Sequence, residues 1–212
     1  MYLAVGTCPD IAFAVSNLSQ FLSNPSEEHW KTAKRVLRYL RGTVELGIEF
    51  AGGGSNANQL IAYSDADLAT CVDTRKSISG VVLILNGGPV IWMARKQSIV
   101  ATSTAEAEYV AAHDATKEIV WIRGLLETIG VKQESPTTLF CDNSAAERLI
   151  TNRVFHRRTK HIEIKFHYVR HAFENGQIDI RHVASKDQLA DIFTKTLPRK
   201  RFVANRNALR IE

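Results

Sequence analysis

IAYSDADLA, residues 61–69, begins as a strand and runs into acids. Ile61, Ala62 and Tyr63 are apolar or aromatic, the types that suit a half-buried sheet. Asp65 and Asp67 then follow. Asp67 reads as turn chemistry. Asp65 is harder to dismiss, because a strand over 59–65 delivers its carboxylate to a sheet end, where α/β proteins bind ligands.

Downstream, ISGVVLIL (78–85) and PVIWMARK (89–96) are β-rich runs separated by Asn86-Gly87-Gly88, a hairpin signal. A helix is expected over 104–121, with a shorter one near 122–129. TTLFCD (137–142) predicts a strand, NSAAERLI a helix, residues 160–174 a basic helix, and QIDIRHV (177–183) an alternating strand. A last helix is expected over 186–196, with Ser185 and Gln188 as a capping box. Three meandering strands followed by βα units predict an α/β fold, a mixed sheet with helices on both faces.

Upstream, AGGGSNAN (51–58) reads as a flexible joint. Residues 9–22 and 27–41 predict two helices, the second capped by Ser26 and striped by Trp30, Ala33, Leu37 and Leu40. The expected organisation is a helical segment over 1–50, a linker over 51–58, an α/β domain over 59–197 and a basic tail over 198–212.

The 212 residues are 45% hydrophobic and 23% charged, enough for a sizeable core. No apolar run reaches the roughly 18 residues of a membrane span, and the N-terminus lacks a signal-peptide pattern. Cys8, Cys71 and Cys141 are far apart and form no zinc pattern, which points to a reducing compartment. The net charge of +5 is concentrated. Arg153, Arg157, Arg158, Lys160, Lys165 and Arg170 lie in one window with His156, His161, His167 and His171, against the single acid Glu163. Such a helix is either a solvated face or a phosphate-contacting surface. Lys195, Arg199, Lys200, Arg201 and Arg206 add to the C-terminal charge.

Candidate acids sit at element ends. Asp142 closes TTLFCD, as Asp65 closes its strand. On a helical wheel from Thr104, Glu108 shares a face with Ala111, Ala112, Ala115 and Ile119, whereas Glu106 falls opposite and is expected in solvent. Asp191, in DQLADIFTK, points away from Leu189, Ile192 and Phe193. Bland alternatives stand beside these: Asp142 as a helix cap and Asp191 as an ordinary exposed acid. Converging carboxylates repel unless cations lie between them, and all-oxygen ligands select Mg²⁺ or Mn²⁺. Two such ions about 4 Å apart are the usual apparatus of phosphodiester hydrolysis.

YSDADLA, TRKSISGVVLILNGGPVIWMARKQ, STAEAEYVAA, LFCDNSAAERL, RTKHIEI and DQLADIFTKTL, in this order over residues 61–197, resemble the C-terminal part of the Pol polyprotein of copia-type LTR retrotransposons. Residues 1–50 resemble the end of the reverse transcriptase that precedes it, with Cys8 where the pattern usually has Arg. The resemblance implies a ribonuclease H-like fold, a five-stranded mixed sheet of order 3-2-1-4-5. It implies cleavage of the RNA strand of an RNA–DNA hybrid with two Mg²⁺ or Mn²⁺ ions. The family's four acids fall on Asp65, Glu108, Asp142 and Asp191, as catalytic and metal-binding residues.

The paired-aspartate motif of the polymerase is not present, so no DNA synthesis is implied, and the chain reads as a fragment. Expected nucleic-acid contacts are Arg75, with Lys76 and Ser77, and Arg157, Arg158, Lys160 and His161. Expected partners are the hybrid and the polymerase domain of the parent polyprotein, with no membrane. The location expected from family habit is cytoplasmic virus-like particles or the nucleus. His182 reads as a surface histidine or as a mobile histidine near the site. The alternative function is a catalytically silent remnant that only binds nucleic acid.

Overall fold

The structure, a computed structural model, describes residues 1–51, 58–71, 73–151 and 163–212. Helices α1 (Tyr2–Gly6), α2 (Ala12–Ser19) and α3 (Glu27–Gly42) precede the sheet. Ser26 caps α3 as expected, and His29 Nδ1 accepts from the Ser26 amide at 3.0 Å. The apolar stripe of α3 does not enter a core: Trp30 and Leu37 are 60% and 61% exposed.

The sheet grows outward from β1 (Ile61–Asp67). On one side β1 pairs antiparallel with β2 (Ile78–Leu85), which pairs antiparallel with β3 (Gly88–Lys96). Asn86 and Gly87 close that hairpin with φ of 52° and 80°, the left-handed pair a two-residue turn requires. On its other side β1 pairs in parallel with β4 (Thr137–Cys141), and β4 with β5 (Ile178–His182). The order β3-β2-β1-β4-β5 is the ribonuclease H-like order that the resemblance implied. β1 extends past the expected residue 65, so Asp65 lies inside the ladder, opposite Gly80.

β2 is buried along nearly its whole length because both sheet faces are covered. Its side chains alternate between two cores. Val81 and Leu83 face α4 (Thr104–Thr128), α5 (Ser144–Thr151) and α6 (Glu163–Glu174). Val82 and Ile84 pack with Ile192, Phe193, Leu209 and Ile211. The N-terminal segment joins this second core: Trp92 Nε1 donates to the Ala4 carbonyl at 2.7 Å, and Ile48 bridges to Ile211.

Three expectations are corrected here. The two helices over 104–121 and 122–129 are one, α4, because Gly124 does not interrupt it. The helix over 186–196 is instead two 3₁₀ segments, Ser185–Asp187 and Leu189–Phe193. Gln188 stands between them in extended geometry, and its side chain accepts from the Ala190 amide at 3.1 Å rather than closing a capping box. The basic tail over 198–212 is a packed element, α7 (Arg199–Ala208), with Asn205, Leu209 and Ile211 buried. Of the expected linker, residues 52–57 lie outside the described residues.

Candidate active site

Three elements bring acids to one end of the sheet. β1 supplies Asp65, the second turn of α4 supplies Glu108, and the residue after β4 is Asp142. One carboxylate oxygen from each lies within 4.8 Å of the others. Asp65 and Glu108 are buried, at 1% and 6% exposure, and Asp142 is half-buried. Asp142 is not a cap, because the next residue does that work: Asn143 Oδ1 accepts from the amides of Ala145 and Ala146 at 2.9 and 3.2 Å. Ser185 Oγ donates to Asp142 Oδ2 at 3.0 Å, which orients the carboxylate.

Electrostatics follow from this convergence. Burial, then the charges of Asp65 and Asp142, push Glu108 up to about 9. Its Oε2 has no hydrogen-bond partner among the described residues. Burial also raises Asp65, to about 6; Lys195 and a hydrogen bond from Thr194 oppose the rise, and Asp191 and Asp142 add to it. The adjacent Cys141 thiol is pushed up by burial and by Glu108, so it stays neutral. A buried carboxylate oxygen without a partner, in a trio of oxygen donors, fits a hard divalent cation such as Mg²⁺ or Mn²⁺.

Asp191 stands differently from expectation. It is not an exposed acid but fully buried, and it is not one of the clustered trio. Its Oδ1 pairs with Lys195 Nζ at 2.7 Å, and its Oδ2 is held by the Arg201 guanidinium. Lys195 Nζ also reaches Asp65 Oδ2 at 3.4 Å, so one ammonium links Asp191 to the trio. Glu106, expected in solvent, is buried at 5% exposure. It accepts from the Thr102 amide and hydroxyl at 2.7 and 2.6 Å.

Residues that sequence reasoning missed surround these acids. Thr194 Oγ1 donates to Asp65, and Gln188 Nε2 donates to the Ser64 carbonyl at 3.0 Å, tying the 3₁₀ segments to β1. Gly80 permits this: a Cβ there would meet Thr194 Cγ2 at 2.6 Å and the Ala190 carbonyl at 2.8 Å. Glycine inside a strand was the available signal, since it marks close approach of another backbone. Arg75 lies exposed on the turn between β1 and β2. His182 is exposed at the end of β5, in register with Cys141. Arg157, Arg158, Lys160 and His161 lie outside the described residues.

No family model matches the chain. It is 40% identical over 202 residues, 95% of its length, to the retrovirus-related Pol polyprotein from transposon TNT 1-94 of Nicotiana tabacum. It is 43% identical over 201 residues to the corresponding polyprotein from transposon RE1 of Arabidopsis thaliana. The chain is, over nearly its whole length, a homologue of a segment of the retrovirus-related Pol polyproteins of plant transposons. It spans 15% and 14% of the lengths of these two relatives. Its structure is similar to that of a ribonuclease H1 isolated from compost, with a TM-score of 0.49 and 18% identity, covering 65% of this chain and 93% of that one. Among the described residues, no helix is long and apolar enough to cross a membrane.

Proposed function

We propose that this Pol segment is an endoribonuclease that hydrolyses the RNA strand of RNA–DNA hybrids with two divalent ions. The observation that supports this reading is the trio of buried Asp65, buried Glu108 and half-buried Asp142, with one Glu108 oxygen unpartnered among the described residues. Divalent cations held there supply Lewis acidity toward water and phosphate oxygen. The chain supplies the rest. Asp65, Glu108 and Asp142 offer oxygen ligands from three rigid elements, which fixes their spacing. Thr194 and Ser185 orient the Asp65 and Asp142 carboxylates through their hydroxyls. Asp191 acts beside the trio through Lys195.

Backbone shape and 2′-hydroxyls, rather than base edges, distinguish a hybrid, so cations and hydroxyls suffice to hold it. Arg75, exposed on the turn following β1, is the proposed contact for that role, and the polymerase domain of the parent polyprotein is the expected partner in holding the duplex. In the test, the purified chain is incubated with an RNA-labelled hybrid and Mg²⁺ or Mn²⁺. Cleavage of the RNA strand is expected, together with loss of cleavage but retained hybrid binding in Asp142→Asn. Hybrid binding without cleavage by the folded wild-type chain would leave only the silent-remnant alternative.

A further inference from the structure

Asp65 and Asp191 share a cation that belongs to the chain itself. The Lys195 ammonium lies 2.7 Å from Asp191 Oδ1 and 3.4 Å from Asp65 Oδ2, and both acids are almost completely buried. Two buried carboxylates this close need positive charge between them, because desolvation and mutual repulsion act in the same direction. The lysine is well held at its base: its amide donates to the Asp191 carbonyl at 3.2 Å, and the preceding Thr194 hydroxyl bonds Asp65. Its side chain nevertheless remains 36% exposed, so the ammonium has a path to water along a flexible stem. Arg201 approaches the other oxygen of Asp191 and anchors that carboxylate independently of Lys195. Asp65 thus stands between two cation positions, one in the trio with Glu108 and Asp142 and one filled by the ammonium.

We infer that Lys195 is a tethered counter-ion occupying a second divalent-cation position between Asp65 and Asp191. The free protein then holds one divalent ion at the trio, and a second enters only when the ammonium swings out. This rests on the metal reading of the trio. Lys195 is accordingly a positioning residue. It sets how many ions the empty site accepts and keeps Asp65 and Asp191 together when the second is absent.

The test counts ions without nucleic acid. Mn²⁺ is titrated into the metal-free full chain, and free Mn²⁺ is read by electron paramagnetic resonance. One bound ion is expected for wild type and for Lys195→Arg, which keeps the charge. Two are expected for Lys195→Met, the second bound about tenfold or more tighter than any second ion in wild type. Equal stoichiometry and affinity in wild type and Lys195→Met would overturn the inference while leaving the trio reading intact. A wild-type chain that binds no Mn²⁺ would overturn both. Should metal-free Lys195→Met melt below the assay temperature, the Tm increment on adding Mn²⁺ is compared. A larger increment than wild type supports the counter-ion role, and an equal one overturns it.

Discussion

Glu108 and Asp114 lie on the same helix at nearly the same depth, 6% and 7% exposed, and their carboxyl groups behave in opposite ways. Glu108 is pushed up to about 9 by its burial and, beyond that, by the two acids it faces. Asp114 is held below its ordinary value, because its own burial is outweighed by His113, Arg95 and Lys117. Arg95 and Lys117 approach it at 3.1 and 3.7 Å. Burial alone therefore does not mark a functional acid. Asp114 is buried with its counter-charges supplied by β3 and by its own helix. Glu108 is buried among carboxylates, and one of its oxygens has no hydrogen-bond partner among the described residues, the arrangement expected of a ligand-binding rather than a structural carboxylate.

The sharpest way to break this comparison is to neutralise Glu108. Glu108→Gln keeps the shape and removes the charge. Hydrolysis of the hybrid is expected to fall by more than about a hundredfold, beyond the usual effect of disturbing a ligand's outer-shell partner. The metal-free variant is expected to melt higher than wild type, because folding no longer has to bury or protonate an unpaired carboxylate. Activity assays and thermal melts in chelator check both halves. A variant that lost activity and also melted lower would place Glu108 with Asp114 as a structural acid.

The trio was legible in the sequence because each member sits where a simple pattern points. Asp65 and Asp142 come at the ends of apolar runs, and Glu108 lies on the small-residue face of a helix. Glu106 was misread by the same wheel, which assumes a single buried face. The start of α4 is covered more widely, and Glu106 turns back to cap residue 102. The surroundings of Asp191 were not legible. DQLADIFTK has a helical rhythm, yet Gln188 breaks it, and the contact that matters joins Thr194 to Asp65 across 129 positions. Lys195 and Arg201 read only as part of the C-terminal charge, because composition does not reveal that α7 folds back through Leu209 and Ile211. The sheet order depended on the family resemblance, since strand spacing alone leaves several orders open.

A smaller effect is expected on the other side of the comparison. Asp114→Asn leaves Arg95 and Lys117 without their buried partner and is expected to cost about 1–2 kcal/mol of stability near neutral pH. Hybrid cleavage should be unchanged per folded molecule. Because the folded-state pKa of Asp114 is depressed, its contribution is present above about pH 4, the ordinary aspartate value, and is lost as pH falls through the folded value. The difference between wild type and variant in denaturant melts should therefore be larger at pH 7 than at pH 3. A cleavage defect in folded Asp114→Asn would show that the structural acid also serves the site.

The smallest effect is a slope, and it runs the other way. Glu108 and Asp65 have raised folded-state pKa values, about 9 and about 6. Across that range the folded chain binds more protons than the unfolded one, so stability falls as pH rises. Metal-free protein should lose a few degrees of Tm between pH 6 and pH 9, with the loss abolished in Glu108→Gln and retained in Asp114→Asn. Divalent ions bind the deprotonated carboxylates, so saturating Mg²⁺ should flatten or reverse the slope and release protons, which calorimetry in buffers of different ionisation enthalpy measures. A metal-free Tm that rose steadily over the same range would mean that Glu108 has a positive partner of its own within the chain, beyond the ammonium that reaches Asp65. Glu108 would then lose the property that separates it from Asp114.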